Sequence, residues 1–342
     1  MAAIAGVVLI HAFSSLVSSG EIRGSATWWI GTSFSLGLSW AVPIFIMVSG
    51  ALLLASRPGE GAREFYARRL QRIAIPLVVA HLGYFAVRVF LLHEQLTVQR
   101  AVNDLLRANV YVQLYFFWIM LGLYLVTPLL RNALEGRDRR ELLAIAAAGI
   151  AFMWAVHAAA ITFISVGSPV AIWQPAALTL WIPYVGYFVA GYALRDVVLA
   201  RRALAATIGL FIVASAVVVW QYGTGGDLLT VALAGGGYQG LPVAVSAVTL
   251  FVIVRTAIRA GSSLAIGPWA STLRQLGDLS LGVFIVHLLV MRYAWRLPGL
   301  AASTAAQSLP ASLVLWLVVL SVSFVACAIL ARIPVLRRTI GM

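Results

Sequence analysis

Apolar residues along this chain come in blocks of about twenty, the length an α-helix needs to cross a hydrocarbon core of about 30 Å. Short polar segments rich in Arg, Gly and Pro separate the blocks from one end to the other. The pattern predicts membrane spans near residues 2–19, 35–55, 73–92, 111–131, 142–164, 176–194, 203–220, 240–257, 276–296 and 311–331. The expected fold is all-α: a polytopic transmembrane helical bundle of about ten spans. The longest loops, 20–34, 93–110, 221–239 and 297–310, are each under about twenty residues and leave no room for a soluble domain. Residues 1–342 therefore read as one membrane domain.

Composition agrees with the pattern. The 342 residues are 62% hydrophobic and 10% charged, against about 25% charged in an ordinary soluble domain. That leaves too little polar surface to coat a soluble globule. All 24 basic residues are arginine, and the net charge is +13. Nucleic acid is not the partner this charge implies, because the arginines sit in short loops between apolar blocks rather than on one face with stacking aromatics. Eighteen of the 24 fall in loops that follow even-numbered spans. By the positive-inside rule those loops and both termini are expected to be cytoplasmic, in a multi-pass protein of the plasma or inner membrane. The first block lacks the basic flank of a signal peptide and is followed by nine more, so it reads as a retained helix. The one cysteine, Cys327, excludes an internal disulfide or a Cys-based metal site. No carboxylate–histidine cluster has ligand spacing, so no metal is expected.

Ionisable side chains inside a membrane are costly and are functional candidates by default. No Asp or Glu falls in the middle of a span. Asp196 and Asp278 lie at cytoplasmic ends, and Glu94, Asp104 and Asp227 lie in outward loops, which argues against a proton- or sodium-coupled transporter. Four histidines do lie within spans: His11, His81, His157 and His287. His11 stands about 15 Å into the first helix. Its imidazole suits general-base chemistry, such as an alcohol attacking a thioester requires. The competing reading is a histidine hydrogen-bonded to a neighbouring helix. That reading is preferred for His81 and His157 and left open for His287.

Six segments resemble the acyltransferase family 3 membrane proteins, in particular the surface-polysaccharide O-acetyltransferase branch. MAAIAGVVLIHAF resembles the family's first span, with His11 at the position of its catalytic histidine. VPIFIMVSGALLL, with Ser49 and Gly50, resembles its Ser-Gly helix, and YARRLQRIAIP its cytoplasmic Arg-x-x-Arg loop. FFWIMLGLYLVTPLLR, YVGYFVAGYAL and LSLGVFIVHLLV resemble the fourth, sixth and ninth spans. There are two departures. The family's Arg before the histidine would fall one position ahead of Met1, which reads as a start assigned too late. Gln113 stands where the branch often has a histidine.

The resemblance implies an O-acyltransferase that moves an acyl group, acetyl by expectation, from cytoplasmic acyl-CoA to a hydroxyl of an envelope glycan or glycolipid. Acyl-CoA is then a donor substrate, and no cofactor is bound permanently. His11 is the expected base, and Ser49 and His287 are candidates for an orienting or oxyanion role. Ser49 competes with a plain helix-packing role beside Gly50. Arg68, Arg69 and Arg72 are the expected dock for the CoA phosphates, since guanidinium forks pair well with phosphate. The stretch AGGGYQG is expected to be a flexible outer loop rather than a phosphate cradle. Arg292 and Arg296 are read either as contacts to an acidic glycan or as side chains snorkelling to the interface. The alternative function is a transporter or flippase for a lipid-linked saccharide, which would leave His11 and the arginine loop unexplained.

Overall fold

The computed structural model of the chain describes residues 1–55, 60–165, 176–226, 230–232, 235, 237–259, 268 and 270–341. Among them every regular element is helical. Asp227, the loop arginine Arg57 and Gly236 of the stretch AGGGYQG lie outside the described residues. The principal helices are α1 (Ala2–Ala12), α2 (Ala26–Leu36), α3 (Ala41–Leu53), α4 (Ala62–Ala86), α5 (Tyr115–Leu134) and α6 (Arg139–Ser165). They continue as α7 (Val185–Ala193), α8 (Arg201–Thr224), α9 (Leu241–Arg259), α10 (Ala270–Asp278), α11 (Ser280–Ala294) and α12 (Leu309–Ala331). Among the described residues seven stretches are long and apolar enough to cross a bilayer, and an eighth is added if α10 and α11, bent by 62°, count as one. The chain is a multi-pass membrane protein.

Four of the ten expected spans differ from the uninterrupted helices expected. The first ends at Ala12 because the Ser14 hydroxyl donates to the His11 carbonyl at 2.7 Å, taking an acceptor that the next turn would use. Residues 26–34, expected as part of the outward loop 20–34, belong to α2, which joins α3 to make the span 26–53. Its start is capped by Ser25, whose side chain accepts from the Trp28 amide. The sixth expected span, 176–194, is a short 3₁₀ turn at Ile182–Tyr184 followed by the nine-residue α7. The ninth is broken at Leu279, between α10 and α11.

Short as it is, α7 lies at the centre of the bundle, buried along nearly its whole length. Glycines permit this. A β-carbon on Gly50 of α3 would overlap the Phe188 carbonyl of α7, and one on Gly191 would overlap the Met47 carbonyl of α3. On the opposite side Gly186 meets Gly149 of α6, where an added β-carbon would stand 2.8 Å from backbone. Small residues let helix backbones approach closely where the lipid supplies no hydrophobic drive for helix association. Next to this block, α1 is held against α12 by the Trp316 indole, which donates to the Ala5 carbonyl at 3.0 Å. The start of α1 meets the start of α11, with Ser280 Oγ 4.0 Å from Met1 Sδ. The two helices that carry His11 and His287 are therefore neighbours running in the same direction.

Candidate functional site

Near the end of α1 and the middle of α11 the rings of His11 and His287 meet, with centroids 5.3 Å apart and planes tilted by 43°. His287 is fully buried, and its Nδ1 faces two backbone carbonyls, Phe284 at 2.8 Å and Val283 at 3.2 Å. A ring nitrogen held between carbonyl oxygens must carry the proton. In the neutral ring Nε2 then keeps a bare lone pair, and this atom is buried without a hydrogen-bond partner. No hydrogen bond joins the two imidazoles. At an effective dielectric of 20, two full charges about 5 Å apart repel by roughly 3 kcal/mol. Each neutral ring already carries one N–H, so the pair can take up at most one further proton.

Aromatic rings back the pair. Phe284 lies 5.9 Å from His287 and packs on Phe116 at 5.1 Å and on Phe117 at 6.3 Å. Two polar side chains fix α11 from the side: Tyr84 Oη donates to the Ile285 carbonyl at 2.7 Å, and Gln113 Nε2 to the same oxygen at 3.3 Å. Gln113, read in the sequence only as a departure from the family pattern, is 2% exposed and leaves its Oε1 unpaired. Two buried acceptors, His287 Nε2 and Gln113 Oε1, therefore lack a donor near the same stretch of α11. A hydroxyl would supply one.

The structure does not bring Ser49 to this place. Leu38 and Ala41 flank Gly6, while Ser35 Oγ bonds the Ile10 carbonyl, so residues 35–41 run antiparallel to α1. Ser49 lies eight residues beyond Ala41, and His11 five residues beyond Gly6 the other way, a separation of roughly 20 Å along the axis. An oxyanion donor must stand about 3 Å from the oxygen it stabilises. The expected orienting or oxyanion role for Ser49 does not fit that position, whereas the crossing of α3 and α7 at the adjacent Gly50 explains a small residue there.

The arginine cluster is divided. Arg68 pairs with Glu60 at 2.6 Å, and Arg131 from α5 reaches the other oxygen of the same carboxylate at 3.1 Å. Arg131 also donates to the Leu53 carbonyl at 2.8 Å and lies 4.8 Å over the Phe65 ring, tying the ends of α3, α4 and α5 together. Burial pushes the Glu60 carboxyl up, but the hydrogen bonds and charges of Arg68 and Arg131 outweigh it and hold the group below the ordinary carboxylate range. Sequence reading passed over Glu60, because a lone acid in an arginine-rich loop carries no pattern. Among the described residues Arg69 and Arg72 have no ion pair, and both lie within electrostatic reach of the Tyr124 hydroxyl. The C-terminal helix Pro334–Thr339 packs on the same end of α4, and a second cavity of about 390 Å³ there is lined by Arg332, Arg337 and Arg338. Gly341 lies against both Leu281 and the Arg72 carbonyl. Arg72 is therefore level with Leu281, and His287 is about 9 Å further along α11.

The remaining histidines are occupied otherwise. His81 donates from Nδ1 to the Leu77 carbonyl at 2.7 Å and accepts the Trp118 indole N–H on Nε2 at 3.1 Å, which uses both nitrogens. His157 lies near Gly237. The described part of the glycine-rich segment is tethered to α7 and the turn before it. The Tyr187 hydroxyl donates to the Tyr238 carbonyl at 2.9 Å, and Gln239 donates to the Tyr184 hydroxyl at 3.1 Å. The Arg296 guanidinium lies 5.2 Å over Tyr293, and Arg292 Nε is buried without a partner. Among the described residues no group of three His, Cys, Asp or Glu side chains is placed to hold a metal ion.

A family model described as an acyltransferase domain, Acyl_transf_3, matches residues 1–332. No curated protein and no solved structure matches the chain.

Proposed function

Because the chain belongs to acyltransferase family 3, we propose that this membrane acyltransferase is an O-acetyltransferase, moving acetyl from cytoplasmic acetyl-CoA to a hydroxyl of a cell-envelope or secreted glycan. The observation that carries this reading is the His11–His287 pair. His11 takes the hydroxyl proton as the oxygen bonds to the acetyl carbon. The carbon–sulfur bond then breaks, and the proton passes from His11 to the departing CoA sulfur, so no acyl-enzyme is needed. His287, its tautomer set by the carbonyls of Phe284 and Val283, keeps an unpartnered Nε2 lone pair that can accept a hydrogen bond beside His11. The phosphates of CoA dock on Arg69 and Arg72, with Arg332, Arg337 and Arg338 beside them. The pantetheine arm covers the remaining 9 Å or so to the histidines. The arginine bias supports a cytoplasmic position for this end, in a plasma or inner membrane.

The test measures release of free CoA from acetyl-CoA with envelope glycan present, for the chain as given and with an Arg restored before Met1, each with and without His11→Ala. Turnover that disappears with His11→Ala is the expected result. Turnover that survives the substitution removes His11 from the chemistry, and the absence of any acetyl-CoA consumption or binding rejects the acetyltransferase reading.

A further inference from the structure

α11 continues in helical conformation to Trp295. At about 100° per residue, Ile285, Leu288, Arg292 and Trp295 fall within an arc of about 80° and form one stripe. Two donors on this stripe, Arg292 Nε and Trp295 Nε1, are buried and have no hydrogen-bond partner. α4 and the turn before α5 cover its start, since Tyr84 Oη and Gln113 Nε2 both donate to the Ile285 carbonyl, at 2.7 and 3.3 Å. That carbonyl can only accept, so it fixes the amide with the nitrogen inward and leaves Gln113 Oε1 as the end without a partner. Helical side chains lean back toward the N-terminus, which directs the Arg292 guanidinium toward the level of Gln113. Among the described residues Arg292 has no ion pair, and the carboxylates beyond the end of α4, Glu94 and Asp104, are both taken by Arg88, at 2.9 and 2.8 Å. An arginine that snorkels keeps its charged head in water, whereas Arg292 buries Nε. Buried polar atoms are costly to leave unpaired, and three of them converge here.

We propose that this stripe binds an acidic sugar of the glycan that is acetylated: a carboxylate accepts from Arg292 Nε–H and Trp295 Nε1–H, and a hydroxyl of the same ring donates to Gln113 Oε1. This deepens the acetyltransferase reading above and rests on it. The unpartnered atoms select the chemistry. Two N–H groups, one of them cationic, call for an oxyanion, and a bare amide oxygen beside them calls for a hydroxyl. A sugar acid carries both on one rigid ring. A phospholipid phosphate would approach from the bilayer, but the stripe begins under Tyr84 and Gln113, inside the bundle. Arg292 lies about 140° round α11 from His287 and about 7.5 Å further along the axis. The acid therefore belongs to a sugar beside the one that reacts. Its contacts are the same before and during the reaction, so removing them raises KM and leaves kcat in place.

The experiment places the full chain in phosphatidylcholine nanodiscs and uses three probes: a disaccharide of glucose and glucuronic acid, the methyl ester of the same disaccharide, and dioleoyl phosphatidylglycerol. Binding is read by calorimetric titration, and turnover by release of CoA from acetyl-CoA. The acid is expected to bind about tenfold or more tightly than its ester, with the difference in turnover confined to KM. Arg292→Gln removes the preference, Arg292→Lys keeps part of it, and Trp295→Phe reduces it several-fold. Arg100→Gln, at an exposed arginine in the segment between α4 and α5, leaves it in place. Equal binding of acid and ester, a preference that survives Arg292→Gln, or displacement of the acid by phosphatidylglycerol overturns the proposal. CoA release with equal KM for acid and ester sinks the stripe alone, whereas preference for the acid without acetyl-CoA consumption supports the stripe and rejects the acetyltransferase reading.

Discussion

Arg68 and the pair Arg69 and Arg72 are adjacent in sequence, and the structure gives them different work, so substituting them one at a time should separate stability from donor binding. Arg68 is half exposed and shares the Glu60 carboxylate with Arg131. In Arg68→Gln the carboxylate keeps Arg131, so the loss is that of a partly exposed pair, up to about 1 kcal/mol of stability. Arg131→Gln is harsher, because the Glu60 side chain is only 4% exposed and the carbonyls at the end of α3 lose their donor as well. Removing one member of a buried pair costs about 3–5 kcal/mol. Neither change should alter CoA affinity by much more than the folded fraction does. Arg69→Gln and Arg72→Gln should do the reverse, each removing a charge-assisted bond to phosphate worth about 1.5–3 kcal/mol, or roughly ten- to hundredfold in Kd. Calorimetric titration with CoA at low and high salt, beside thermal unfolding of the same variants in detergent, measures both quantities. The Glu60 node adds an acid limb. With its folded pKa held low, its stabilisation is complete above the ordinary glutamate range and is lost as pH falls through the folded value. A Glu60→Gln variant should lack that limb. The reasoning fails if Arg68→Gln weakens CoA as much as Arg72→Gln does, or if Arg131→Gln melts like the unaltered protein.

Two further substitutions test the frame around the site. Gly50→Ala puts a β-carbon into the Phe188 carbonyl and must spread α3 from α7, so a loss of about 1–3 kcal/mol is expected in detergent unfolding; an unchanged midpoint would mean the crossing is looser than described. His81→Phe leaves the Trp118 indole N–H without its acceptor, which should cost about 1 kcal/mol of stability. It should leave turnover per folded molecule unchanged, and a selective loss of turnover would make His81 part of the chemistry.

Most of the bundle was legible because crossing a bilayer imposes a length, and block length survives any sequence detail. What the blocks could not show is where a helix stops inside one. The end of α1 depends on one hydroxyl, Ser14, competing for one carbonyl, and the bend at Leu279 has no Pro to announce it. α7 hides for a different reason: its apolar segment is long enough to suggest a span, yet only nine residues form the helix, packed all round by glycine crossings. His11 could be singled out by motif. Its partner could not be chosen among three other histidines, because α1 and α11 are almost 270 residues apart in the chain and meet only through the fold. The arginine cluster was visible as a cluster, but its division depends on Glu60, one acid whose importance comes from burial.

Two of the irregularities that the apolar pattern missed lie on the helices that bear the histidines. An uninterrupted span would leave His11 in mid-helix, its turn closed by hydrogen bonds on both sides. Here α1 ends one residue later and a single helical turn, Ser14–Val17, follows, so His11 lies in the last turn of α1, toward the negative end of its dipole. A positive charge is stabilised there by about 0.3–1 kcal/mol at an exposed site, and by up to about 2 kcal/mol where partly buried. In the proposed reaction that charge is absent before the hydroxyl proton is taken and present at the transition state, so the short helix lowers the barrier rather than the ground state. His287 has no such terminus, because α11 continues to Ala294, and its Nδ1 is already committed to two carbonyls. Of two touching imidazoles, the one at the end of α1 is therefore placed to gain the hydroxyl proton, while His287 stays neutral with its Nε2 as an acceptor.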